Sequence, residues 1–150
     1  MTNAINTDNH DVETQIEYMC IDAMNLWRNK LGLLAKEYKL SRLERRIIIF
    51  IGRNPGIRQA DLASIMDVEP QSLTRALDGM EKKLWLFKAD DANDKRAKCL
   101  NLTSEGLKKL EEALFISSQI RPKVLKNIPQ HEIYAFAKVL TTININLKEI

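Results

Sequence analysis

At 150 residues, 45% hydrophobic and 29% charged, the chain can build one ordinary core and is short for two full domains. No apolar run approaches the roughly 20 residues needed to cross a bilayer, and the start Met1-Thr2-Asn3 lacks a basic and apolar signal segment, so a cytoplasmic protein without a membrane partner is expected. A net charge of +3 argues only weakly for nucleic acid, but residues 41–103 carry twelve Lys/Arg against nine Asp/Glu, whereas residues 1–40 carry four against six.

Met1 to His10 is polar, and a frayed end is expected there. From Val12 the apolar residues Ile16, Met19, Ala23, Leu26, Trp27, Leu31, Leu34 and Tyr38 step by three or four, which predicts one long helix despite Gly32. So long a stripe needs more burial than one small core provides, and a second copy of the chain is the economical cover. Ser41-Arg42-Leu43-Glu44 reads as a capping box that starts a second helix through Ile47–Ile51. Asn54-Pro55-Gly56 ends it as a turn.

Gln59 to Val68 then reads as a short helix carrying Leu62, Ala63, Ile65 and Met66. Asp67 tolerates the left-handed conformation that a tight turn between two helices needs, and Val68 can plug the corner. Glu69 to Leu84 forms the next helix, with Pro70 suited to its first position. Leu73, Leu77, Met80 and Leu84 make one stripe; Gln71, Arg75, Asp78 and Lys82 stand opposite, flanked by Ser72 and Thr74. Arg, Gln, Ser and Thr are the side chains that read base edges in a major groove. An ordinary solvated helix face is the bland alternative, and the helix-turn-helix spacing weakens it.

Trp85–Asp90 and Ala97–Leu102 read as two strands joined by Asp91-Ala92-Asn93-Asp94-Lys95-Arg96, a loop of turn formers. The hairpin's far end presents Lys95, Arg96 and Lys98, a wing placed to touch DNA beside the groove. Asp90 and Asp91 lie close to these cations, so tight non-specific binding is not expected. Thr103 caps a fifth helix with the stripe Leu107, Leu110, Leu114 and Leu125, with a kink expected near Pro122. After Asn127-Ile128-Pro129 a last helix carries Ile133, Phe136, Leu140, Ile143 and Leu147.

The expected fold is thus mainly α with a small β component: a winged helix-turn-helix with a two-stranded wing over residues 41–103, and terminal helices, 1–40 and 104–150, forming a dimerisation module. No enzymatic motif appears: there is no Gly-rich phosphate loop, nucleophile elbow or Ser/His/Asp order. Neither a cofactor nor a metal is expected. His10 and His131 lie apart, and Cys20 and Cys99 lack CxxC spacing, which points to reduced thiols.

Four stretches together carry a family resemblance: Arg58-Gln59-Ala60-Asp61-Leu62-Ala63, Gln71-Ser72-Leu73-Thr74-Arg75-Ala76-Leu77-Asp78, Asp94-Lys95-Arg96-Ala97-Lys98, and Leu102-Thr103-Ser104-Glu105-Gly106. In this order and spacing the chain resembles the MarR/SlyA group of winged-helix bacterial regulators, the SlyA branch most. The resemblance implies that Arg75 contacts the major groove, that Arg96 enters the minor groove from the wing tip, and that Asp94 orients Arg96. Leu84 replaces the glycine that usually ends the recognition helix. Arg45 replaces an aromatic residue common four positions after the cap of the second helix, so an aromatic-carboxylate effector is not implied.

The expected function is a homodimeric regulator, repressor or activator, that binds a pseudo-palindromic double-stranded DNA operator and responds to a small-molecule effector. DNA-binding residues are expected to be Gln71, Ser72, Thr74, Arg75, Lys95, Arg96 and Lys98, with Asp94 orienting the wing. Two alternatives stand beside it. One is a cysteine-based redox sensor using Cys20, which lies near Tyr18; the other is a winged-helix dimer that binds another protein and little DNA.

Overall fold

Ser41 starts its helix as the capping box predicts. Its hydroxyl accepts from Glu44 N at 3.1 Å while the Glu44 carboxylate accepts from Ser41 N at 2.9 Å, so two otherwise orphaned donors are satisfied reciprocally. The computed structural model describes residues 9–91, 94 and 96–150. Along them run α1 (Asn9–Glu37), α2 (Arg42–Arg53), β1 (Ile57–Arg58), α3 (Gln59–Met66), α4 (Pro70–Lys82), β2 (Leu86–Asp90), β3 (Lys98–Leu102), α5 (Ser104–Val124) and α6 (Gln130–Glu149). The chain divides into two compact units, Met1–Ser118 and Gln119–Ile150.

In the first unit the core lies between the helices that follow α1 and the sheet. Ile47, Ile48 and Ile51 of α2, Leu62 and Met66 of α3, and Leu73, Leu77 and Met80 of α4 meet Leu86 and Leu100 of the strands. Full burial of each such side chain contributes about 1.5–3 kcal/mol. The stripe read from α4 is therefore the packed face, apart from Leu84, which lies beyond the helix end and is 68% exposed. Asp67 closes α3 at φ 48°, in the left-handed region, as the turn requires.

Both strands expected of the wing are present, and a third strand joins them in the sheet. It has three antiparallel strands in the order β1-β3-β2, with Ile57 opposite Leu100 and Arg58 opposite Cys99. A two-residue strand has no periodicity to read, so the sequence gives no sign of β1. On the other side of β3, Leu86 faces Leu102, Lys88 faces Leu100 and Asp90 faces Lys98.

At the base of the wing, Leu84 adopts φ 59° where a glycine would be unstrained. The Thr103 hydroxyl donates to the Leu84 carbonyl and accepts from Gly106 N at 3.1 Å, so one side chain both caps α5 and fastens the segment that follows α4. Thr103 N donates to the Trp85 carbonyl at 3.1 Å. A Cβ on Gly106 would stand 1.8 Å from that carbonyl oxygen, so no larger residue fits there.

The stripe expected on α5 meets the core of the single chain only in part. Ala113 and Ile116 are fully buried and Leu110 packs partly against the core, while Leu107 and Leu114 are exposed. The face of α5 turned to the core is thus offset from the leucine spacing. α5 continues through Pro122 and stops at Val124, leaving Leu125 outside it. In the second unit, α6 by itself buries none of its side chains.

Candidate nucleic-acid interface

The first turns of α4 begin at Pro70, with Glu69 as the preceding cap residue. Gln71, Ser72 and Arg75 are exposed on this segment. Thr74 is held differently. Its hydroxyl donates to the Pro70 carbonyl at 2.9 Å and accepts from Gln59 Nε2 at 3.1 Å, tying the start of α3 to the first turn of α4. A groove between these helices and the wing is bordered by Gln59, Pro70, Asp94, Arg96 and Lys98.

Farther along α4, the acidic groups are neutralised from the sheet. Lys88 Nζ on β2 bonds Asp78 and lies 3.3 Å from Glu81. Partial burial pulls the Lys88 pKa down, but hydrogen bonds and attraction to Asp78 and Glu81 outweigh it and leave it raised. Thus the outer surface of α4 keeps the Arg75 cation while its nearby carboxylates are engaged.

The wing is organised by Asp91, whose part goes beyond that of a turn former. Asp91 Oδ2 accepts from Arg58 Nε at 2.9 Å and from the Cys99 thiol at 3.5 Å; its Oδ1 accepts from Asp94 N at 3.0 Å. Asp94 Oδ1 then accepts from Arg96 N at 3.0 Å, and Asp94 O accepts from Ala97 N at 2.8 Å. A continuous relay runs from β1 to the wing tip. Aspartates three apart in a turn-forming loop are a signal that could have exposed it.

Asp94 therefore addresses Arg96 through its backbone amide. Among the described residues the Arg96 guanidinium makes no ion pair, and Arg96 is exposed. Lys98 pairs with Asp90 across the hairpin, and Lys95 lies outside the described residues. The Arg58 charge is directed to Asp91: the hydrogen bond to that carboxylate, then its charge, raises the Arg58 pKa.

A sequence model described as the MarR family matches residues 38–97, from the end of α1 through the helix-turn-helix to the wing tip. The solved structure of transcriptional regulator PA3341 superposes with a TM-score of 0.81 at 26% identity, covering 90% of this chain and 99% of that one. The chain is similar to the MarR family over that stretch and shares its fold. Transcriptional regulator SlyA is similar in structure with a TM-score of 0.78 at 21% identity, covering 89% of this chain and 94% of that one. A putative MarR-family regulator from Listeria monocytogenes, solved in complex with a 26mer DNA, gives a TM-score of 0.78 at 21% identity over 89% of each chain.

Within this winged-helix chain the two thiols sit in different settings. Cys20 is half-buried on α1. The Cys99 thiol is pushed up in pKa by burial, then by its hydrogen bond to Asp91 and that carboxylate's charge, with Arg58 opposing weakly. A thiol held protonated is a poor nucleophile. No described helix is long and apolar enough to cross a membrane.

Proposed function

We propose that this chain is a homodimeric, sequence-specific DNA-binding transcriptional regulator rather than an enzyme. In this reading the first turns of α4 enter the major groove and the wing tip reaches the adjacent minor groove. The observation that carries it is the arrangement of charge: Arg75 and Arg96 are exposed without acidic partners among the described residues, while the neighbouring carboxylates Asp78, Glu81 and Asp91 are occupied by Lys88 and Arg58. The DNA complex of the Listeria monocytogenes relative supports it.

Gln71, Ser72 and Arg75 are assigned to base edges. Thr74 contributes through the position it fixes and through any lone pair left to its hydroxyl. Lys95 and Lys98 are assigned to phosphates. Arg96 is assigned to the narrow, negative minor groove of A·T-rich flanks, with Asp94 setting its approach. Residues 41–103 form the DNA-reading part, and residues 1–40 with 104–150 hold the second copy. Exposed Ile16, Met19 and Met24 on α1, and Phe136 and Leu147 on α6, are the apolar groups such a partner would cover. A small-molecule effector modulates the DNA affinity.

The test is a binding series over operator variants at fixed salt, beginning with the gene's own promoter region. A dimer places its two α4 helices about one DNA turn apart, so a roughly palindromic site of about 20 base pairs is expected. Arg75→Ala should cost about 1–3 kcal/mol and relax preference at one position per half-site. Arg96→Ala should reduce the penalty for G·C in the flanks and leave the half-site centre intact. Equal loss on every sequence from both variants refutes the assignment. Sedimentation at micromolar concentration should give twice the 17.3 kDa chain mass.

A further inference from the structure

Three arginines occupy the first turns of α2, where the positive end of the helix dipole disfavours cations. Arg42, Arg45 and Arg46 stand there with Arg28 of α1, and the four line one cavity of about 240 Å³ between the two helices. Among the described residues none of the four takes part in an ion pair, although Glu44 in the same turn pairs with Lys83 at 2.6 Å. Four arginines thus line one cavity, with no carboxylate among its lining residues.

Arg45 carries the sharpest sign of a missing partner. Its Nη2 donates to the Ser117 hydroxyl, but its Nε is buried and has no acceptor. Burial lowers the pKa of this guanidinium. A buried donor left unmade costs about 1–3 kcal/mol, and more when charged. Arg42 is placed by a second device: Gly32 on α1 has no side chain, and a Cβ there would stand 2.7 Å from Arg42 Nε. That gap lets Arg42 lie across α1 and donate to Asn29 Oδ1 at 2.5 Å.

We infer that this cavity is a binding site for a small, multiply charged, non-aromatic oxyanion, a phosphate ester or a di- or tricarboxylate. Guanidinium forks match phosphate and carboxylate oxygens two at a time, and several around one cavity favour a ligand with more than one negative charge. The apolar part of the lining is Leu31 and Leu43, with no aromatic ring against which a planar aromatic acid could stack. The volume is below the usual range for drug-sized ligands, about 300–1,000 Å³, which suits a compact anion.

The inference deepens the effector reading above, and its route to DNA is visible in one contact. Arg46 Nη2 donates to the carbonyl of Met66 at 3.0 Å. Met66 is the last residue of α3, immediately before the left-handed Asp67 and the turn that sets the start of α4. An anion that draws Arg46 into the cavity competes for the donor holding that turn.

Calorimetric titration of the full chain at constant ionic strength tests the site without DNA, so its outcome is separate from that of the DNA-binding reading. The probes are pyrophosphate and citrate, with benzoate as the aromatic monoanion. One saturable site per chain is expected for pyrophosphate, citrate or both. Saturation by one alone names the phosphate or the carboxylate source. Arg45→Gln and the exposed Arg42→Gln should each weaken binding at least about tenfold, one decade per 1.4 kcal/mol, and Arg53→Gln at the far end of α2 should not. The inference is overturned if neither multivalent anion saturates, if benzoate binds as tightly, or if Arg53→Gln weakens binding as much as Arg42→Gln.

Discussion

Replacing Asp91 by asparagine tests whether wing geometry is set from β1. The change keeps the size of the side chain and removes the charge that binds Arg58. Asp91 has a side chain 11% exposed and Arg58 one 44% exposed, so the pair lies between a surface ion pair and a buried one. An exposed pair is worth about 0.2–1 kcal/mol, whereas a hydrogen bond to a charged group contributes about 1.5–3 kcal/mol. Asparagine retains one carbonyl oxygen for either Asp94 N or Arg58, and water reaches Arg58. A stability loss of about 1–1.5 kcal/mol is therefore expected, a fall in Tm of about 2–6 °C for a chain of this size. Denaturant unfolding of Asp91→Asn, Arg58→Gln and the double variant measures it, with a coupling of at least about 0.5 kcal/mol between the two sites. On DNA, the same variant should lose discrimination against G·C flanks, because Arg96 hangs from the relay through Asp94, while preference at the half-site centre persists. A coupling near zero, or an equal loss at centre and flank, refutes the relay.

Gly106→Ala should destabilise the fold by about 3 kcal/mol or more, since the added carbon meets the Trp85 carbonyl; chemical denaturation with an unchanged midpoint would overturn this. Leu84→Gly should stabilise by about 0.5 kcal/mol, because relief of the left-handed backbone outweighs the added freedom of the unfolded chain and the exposed leucine loses little packing. Glu44 is pulled up in pKa by burial but more strongly down by its hydrogen bonds to Lys83 and Ser41. A depressed folded-state pKa means that its contribution is present above the unfolded carboxylate value and is lost as pH falls through the folded one. Glu44→Gln, which keeps the capping box, should flatten the fall in stability at acid pH, read from unfolding midpoints across that range.

The helical parts were legible wherever one local signal sufficed. The capping box at Ser41, Pro70 at the start of α4, left-handed Asp67 and the cap at Thr103 each depend on residues within four of one another, and each appears in the structure. What escaped depends on distant partners. β1 exists because Ile57 and Arg58 meet a strand some forty residues later, and the inward face of α5 is chosen by the surface it packs on rather than by its leucines. At the candidate interface the exposed faces of Gln71, Ser72 and Arg75 follow from helical periodicity, whereas the engagement of Thr74 by Gln59 and of Asp91 by Arg58 does not. Sequence spacing shows which residues share a face; it does not show which of them are already occupied.

The placement of β3 between two other strands divides the hairpin into a part that can change in length and a part that cannot. Leu100 is fully buried and paired on both sides, to Ile57 and to Lys88. One residue inserted within β3 would turn every side chain beyond it to the opposite face, exposing Leu100 or Leu102 and breaking both ladders. A residue inserted after Asp94, at the tip, would leave those ladders in register and the Asp91–Asp94 link intact, and alter the span over which the wing cation is carried. Homologous wings can therefore diverge in reach through indels at the tip, adapting to different groove widths, while the base remains constant in length.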